Sequence, residues 1–162
     1  MIDVHDYLID QSGKDWAELL SGYADILPGS FTVWLLNRFG DIFVAFDDGT
    51  IHMLDVGNCL IKHIASSRDE FATLIDLDGN ANNWLMIPLV DQCVAAGIVL
   101  RDDQCYGFKI PPILGGQYEL KNIEPTDLSV HYSFLSDIYR QTKCIPDGTK
   151  VRVVVKNVPS RP

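Results

Sequence analysis

Ile42-Phe43-Val44-Ala45-Phe46-Asp47-Asp48-Gly49-Thr50-Ile51-His52-Met53-Leu54 is the stretch whose reading decides the fold. Two runs rich in β-branched and aromatic residues flank an Asp-Gly pair, and glycine reaches the positive φ that a tight turn needs. The segment therefore reads as a β-hairpin. Upstream, residues 34–39 are expected to form a short helix or turn that ends at Gly40. Further back, Trp16, Leu19, Leu20, Tyr23 and Leu27 recur at helical spacing, and Pro28-Gly29 stops that run. Downstream, Ser67 stands three residues ahead of Glu70, the spacing of a capping box, and Phe71, Leu74 and Ile75 form an apolar stripe behind it.

A polar loop is expected over residues 78–83, and one longer amphipathic helix over 84–96, closed by Gly97. Residues 104–110 read as a strand ended by Pro111-Pro112, and residues 117–122 as another after Gly115-Gly116. Thr126 or Asp127 is expected to cap a helix reaching Gln141, with Val130, Phe134, Leu135 and Ile138 inward. Residues 151–155 read as a closing strand after the Pro146-Asp147-Gly148 turn. Four or five helices and five strands, grouped rather than alternating, predict an α+β domain with a mainly antiparallel sheet. A length of 162 residues suits one domain over 1–162, divided into a helical part over 1–33 and an α+β core over 34–156.

Hydrophobic residues make up 47% and charged residues 22% of the chain, the balance of a soluble globular protein. The formal charge of −9 disfavours nucleic acid and anionic membrane as partners, because both are held through Lys and Arg. The acid excess is uneven. Residues 1–103 hold 17 acids and 5 bases, whereas residues 104–162 hold 5 acids and 8 bases. Eighteen of the acids are Asp, which favours caps and turns, so the charge is expected at loop tips and helix starts. Ordinary capping and solubility explain such a surface, and so does steering of a cationic partner.

Cys59, Cys93, Cys105 and Cys144 lack CxxC spacing, which suggests reduced, mostly buried thiols in a cytoplasmic protein. The acidic N-terminus has no signal-peptide pattern, and no apolar run approaches the ~20 residues of a membrane span. Residues 76–82 carry oxygen side chains at alternate positions, as a calcium loop does. Ala81 stands where glycine is needed and Ile87 where the bidentate acid is needed, so an Asx-rich turn is the better reading. Cys59 and His63, with His52 nearby, lack the second ligand pair of a zinc site. Cys105 with His131 or His63 is a weak candidate for nucleophilic catalysis, and no nucleophile elbow or phosphate loop is present. No catalytic residue, metal or cofactor is expected.

Several segments together resemble a bacterial family. They are residues 34–43 with Trp34 and Gly40, then Asp48-Gly49-Thr50-Ile51 with Leu54-Asp55, then Trp84-Leu85. The most specific is Gln104-Cys105-Tyr106-Gly107-Phe108-Lys109-Ile110-Pro111-Pro112-Ile113-Leu114-Gly115-Gly116-Gln117-Tyr118, followed by Asn122 and Pro146-Asp147-Gly148. This set is similar to the GAD-like type VI secretion immunity proteins over roughly residues 34–150, so that the α+β core is of immunity type. The resemblance implies a non-enzymatic antidote that binds a cognate toxin, a DNase effector, and neutralises it by stoichiometric occlusion. An acidic inhibitor can approach a nuclease quickly and sit where phosphates would sit. The motif residues Trp34, Gly40, Asp48, Gly49, Trp84, Gly107, Phe108, Lys109, Pro111, Pro112, Gly115 and Gly116 read as fold-makers. Toxin contacts are expected at Asp47 and Asp48, at Asp76 and Asp78, at Asp102 and Asp103, and at Trp16 or Tyr23 if these aromatic rings are exposed. Two alternatives remain: a regulatory or scaffold module binding another cytosolic protein, and an enzyme using Cys105 with a histidine.

Overall fold

The computed structural model describes residues 3–152. A five-stranded antiparallel sheet runs β1-β2-β3-β4-β5 in spatial and chain order, formed by Leu8–Ile9, Phe31–Asn37, Ile42–Phe46, Ile51–Asp55 and Leu60–Ala65. The hairpin read from the sequence is β3–β4. At its tip Gly49 has a φ of 85°, and the Asp48 carboxylate accepts from the Thr50 amide at 3.0 Å.

Alternation along the hairpin builds two cores. Ile42, Val44 and Leu54 face one side, with Leu20, Tyr23, Leu128, Tyr132 and Leu135. Phe43, Ile51 and Met53 face the other, with Phe71, Leu85 and Ile87. Successive strand side chains point to opposite faces, and both faces are covered, so the run is apolar at nearly every position.

Residues 34–39 are not helical. Val33, Trp34, Leu35 and Leu36 lie within β2, paired from Phe31↔Phe46 to Leu36↔Ile42 with a bulge between Val33 and Leu35. A β-branched, aromatic run beside a ready partner strand outweighs its local helical spacing. The turn at Gly40, with a φ of 84°, is where it was expected. The helical run of residues 15–27 is shorter than its spacing suggests: α1 covers Trp16–Leu19 and a 3-10 turn covers Ser21–Tyr23. The first 33 residues also supply β1 and the start of β2.

Helix α2 spans Arg68–Leu74, with the Ser67 hydroxyl accepting from the Glu70 amide at 3.1 Å. The reciprocal bond of this cap comes from the Ser66 amide to the Glu70 carboxylate, one residue earlier than in the standard box. The expected loop at 78–83 is largely helix α3, Asn80–Trp84, and the expected helix over 84–96 is only α4, Ile87–Ala95. Met86 separates them in a left-handed conformation at φ 52°, and Pro88, which can neither donate nor continue a preceding helix, sits in the first turn of α4. Gly97 ends α4 as expected, its amide bonding Val94 O and the Ile98 amide bonding Cys93 O, a Schellman motif.

Strand β6, Gln104–Phe108, is wholly buried and pairs with β7, Ile123–Asp127. The partner strand thus begins after residues 117–122, which hold a 3-10 turn at Leu120–Asn122. Helix α5, Leu128–Thr142, starts at the expected Asp127, but that carboxylate caps no helix amide. It accepts from Gln104 Nε2 at 3.3 Å. Val130 faces outward and is 56% exposed; the buried stripe is Leu128, His131, Tyr132, Leu135 and Ile138. Val151 and Arg152 are not in a strand, and the rest of the proposed closing strand lies outside the described residues. The fold is α+β, with five α-helices and seven strands among the described residues, against the five strands expected.

Candidate functional site

Two buried polar joints hold the turns of the 34–43 and 104–122 segments. At the β2–β3 turn, Asn37 Oδ1 accepts from the amides of Phe39 and Asp41 at 2.9 and 3.0 Å. Its Nδ2 donates to Asp41 Oδ2 and Trp84 O at 3.1 and 3.0 Å. The second Asp41 oxygen accepts from the Val56 amide at 3.0 Å. Helix α5 then grips the same turn: His131 Nε2 meets Phe39 O at 2.9 Å, and the Tyr132 hydroxyl donates to Gly40 O at 2.7 Å. A Cβ at Gly40 would stand 2.9 Å from the His131 ring, so positive φ and close approach both demand glycine there.

The second joint is Asn122, which holds the proline- and glycine-rich loop. Its Oδ1 accepts from the Ile110 amide at 2.8 Å, and its Nδ2 donates to Ile110 O and Gln117 O, each at 2.9 Å. A Cβ at Gly116 would collide with Ile110 O. Pro111 is buried, Pro112 opens a 3-10 turn, and Gly115 closes it. Gly107 and Phe108 belong to buried β6, Trp84 stacks on Phe71 at 5.3 Å, and the Arg68 guanidinium lies 5.2 Å from the Trp34 ring. Within the 104–118 run Lys109, Ile110, Gly115, Gln117 and Tyr118 are exposed.

Burial sets the ionisation of the groups in the first joint. It is the main cause that raises the Asp41 carboxyl to about 7, with the neighbouring Asp55 charge adding to it. It lowers the His131 imidazole to about 4, against the opposing bond to Phe39 O. Cys105 and His131 both flank Gly40, but burial pushes the thiol far above its ordinary value and the imidazole bonds Phe39 O. The pair is enclosed in the core as a protonated thiol and a neutral ring, without the base-to-nucleophile hydrogen bond such chemistry uses. Cys59 is buried with its thiol raised to about 12, whereas His63 is exposed beside His52. The Cys59–His63 spacing therefore brings together no ligand pair. Among the described residues no group of three or more His, Cys, Asp or Glu converges as a metal site. Cys59, Cys93 and Cys105 are buried free thiols and Cys144 is exposed.

The expected contact acids occupy three separate places. Asp47 and Asp48 are exposed at the β3–β4 tip, where Asp47 also accepts from the Ser30 hydroxyl at 3.0 Å. Asp76 and Asp78 are exposed in the turn between α2 and α3. Asp102 and Asp103 are exposed ahead of β6, and Asp103 pairs with Lys14 at 3.3 Å. Tyr23, expected as a contact if exposed, is instead fully buried and packed edge-on against Tyr132 at 6.4 Å, so its ring offers no contact. Trp16 is half-buried, donating to Gln11 O at 3.0 Å.

A feature absent from the sequence reading is a cleft of about 970 Å³ between residues 13–22, the 101–104 turn and α5. Asp15, Glu18, Asp102, Asp103 and Asp127 line it, against Lys14, Arg101 and Arg140. A smaller cleft of about 450 Å³ shares Lys14, Arg101, Asp102 and Gln104 with it. The Asp102-Asp103 pair signalled one wall. No local pattern signals Asp15 and Glu18, because only the tertiary fold brings α1 opposite α5.

The molecule is an α+β domain whose buried Asn37, Asp41 and Asn122 side chains are spent on holding turns and whose free charge lies on its surface. Residues 65–139 match the family described as T6SS immunity protein Tdi1, C-terminal, and through that segment the chain is similar to type VI secretion immunity proteins. No curated protein matches the chain at a significant level. No helix among the described residues is long and apolar enough to cross a membrane.

Proposed function

We propose that this protein is a cytoplasmic, GAD-like immunity protein that binds a cognate type VI secretion toxin, a DNase, and neutralises it by stoichiometric occlusion without turnover. The observation that carries this reading is the family match over residues 65–139. Two further features support it. Cys105 and His131 are enclosed in the core, away from any substrate. The acidic excess lies on exposed turns, and a protein that handles DNA presents cationic groups that such turns complement. We assign toxin contacts to Asp47, Asp48, Asp76, Asp78, Asp102, Asp103 and Trp16.

The test is co-expression with the polypeptide encoded beside this gene. A one-to-one complex, loss of that polypeptide's DNase activity on binding, and sensitisation of cells lacking this gene are the expected results. A neighbouring polypeptide that neither binds nor harms cells lacking this protein overturns the reading.

A further inference from the structure

The acids on the surface are not equivalent, because only some of them border a concave seat. We propose that the cleft between α1, the 101–104 turn and α5 is the main docking seat, and that it receives a Lys- or Arg-bearing segment of the toxin. This inference rests on the immunity reading and deepens it by naming a surface and the chemistry it recognises.

Four observations converge on this cleft. Five carboxylates line it against three cationic side chains, so its wall is net negative. Two of those cations are already engaged, Lys14 with Asp103 at 3.3 Å and Arg140 with Asp137 at 3.5 Å. The Glu18 and Asp102 carboxylates and the Arg101 guanidinium have no ion-pair or hydrogen-bond partner among the described residues, and Asp15 and Asp127 accept only from the neutral Glu18 amide and Gln104 Nε2, so the unspent charge in the cleft is net negative. Second, the Lys14–Asp103 pair shows the chemistry that the seat accepts. The chain's own ammonium group reaches across from the N-terminal segment to a carboxylate that is 89% exposed. The ammonium side of this pair is only 13% exposed and the carboxylate side is open, so an incoming cation reaches the free face of Asp103 while Lys14 holds the other.

Third, the remaining wall suits a polypeptide. Ser21, Ser129 and Ser133 are small and exposed, leaving room for a backbone and offering hydroxyls to it. Fourth, the 101–104 turn and most of the α5 wall lie inside the segment matched to the immunity family, while residues 13–22 lie outside it. The seat is thus built where the family segment meets a wall that the match does not include, an arrangement that lets a shared fold present a seat particular to this chain.

The experiment measures binding of the full chain to the polypeptide encoded beside its gene, with Glu18→Lys, Asp102→Lys and Ser133→Trp as cleft variants. Glu124→Lys, an exposed acid on β7 away from the cleft, is the charge-matched control. Thermal melts establish that each variant is folded; the replaced side chains are exposed, so their melts should match the wild type. Each cleft variant is expected to weaken binding about 10-fold or more, and Glu124→Lys less than about 3-fold. If the wild-type chain binds and the folded cleft variants bind within about 3-fold of it, the seat is wrong and the immunity reading stands. Equal losses in Glu124→Lys and the cleft variants also overturn the seat, because net charge alone then accounts for the effect. A wild-type chain that does not bind overturns the immunity reading and the seat with it.

Discussion

Asp41 and His131 are buried at the same turn, and their ionisation acts on stability with opposite signs. The Asp41 carboxyl titrates near 7 in the fold against an ordinary 3.8, so between these values the folded chain keeps a proton that the unfolded chain has lost. Its contribution is fully present below 3.8 and declines as pH rises towards 7. His131 titrates near 4 against an ordinary 6.5, so the unfolded chain gains a proton first as pH falls. Its contribution is fully present above 6.5 and is lost as pH falls towards 4. The two slopes, each at most about 1.4 kcal/mol per pH unit, largely cancel between pH 4 and 6.5. Single substitutions should uncouple them. Relative to the wild type, His131→Gln is expected to show stability falling as pH rises from 4 to 6.5. Asp41→Asn should show it rising over 4 to 6.5. Urea denaturation at stepped pH reads both, and parallel profiles in all three proteins would remove the ionisation argument.

At the scale of elements, the 109–122 loop depends on one side chain. Asn122 is 7% exposed and satisfies two backbone groups of Ile110 and one of Gln117. Asn122→Ala leaves these groups to find other partners and is expected to destabilise the chain by about 3 kcal/mol in urea titration. Asn122→Asp keeps the acceptor but sets a buried carboxylate oxygen against Ile110 O and Gln117 O, so at neutral pH it should destabilise at least as much as Asn122→Ala. The role was only partly legible in sequence: the asparagine stood out with the Pro-Pro and Gly-Gly pairs, but its bonds to Ile110 span twelve residues. The same boundary separates what was readable elsewhere. The β3–β4 hairpin, the Ser67 cap, the Gly97 stop and the start of α5 each depend on a few adjacent residues, and all were read correctly. Residues 34–39 became a strand because β3 lies beside them, and Pro88 divided a run whose apolar spacing looked continuous. The cleft was the least legible feature, since Glu18 and Asp102 meet only through the packing of α1 and the 101–104 turn against α5.

For the molecule as a whole, the N-terminal segment must stay docked on α5 for the cleft to keep its shape. Gly22 is the point of closest approach: a Cβ there would lie 2.7 Å from Ser136 Cβ and closer still to its hydroxyl. Gly22→Val should cost about 1–3 kcal/mol through overpacking, with Ser136→Gly restoring part of it in the double variant, as measured by thermal melts. The docked molecule also carries an acid excess, concentrated in residues 1–103 and set largely on exposed turns. A cationic partner is therefore drawn in and its approach oriented before contact. Salt weakens that orientation, because the screening length falls to about 8 Å at physiological ionic strength and shortens further above it. Short-range apolar contacts and close hydrogen bonds respond less. The association rate with the neighbouring polypeptide should consequently fall about tenfold between roughly 0.05 and 0.5 M salt, with a much smaller change in dissociation rate. Stopped-flow measurement separates the two. A salt-independent association rate would mean that the acidic turns serve solubility and capping alone, and that complex formation is driven by shape and apolar burial.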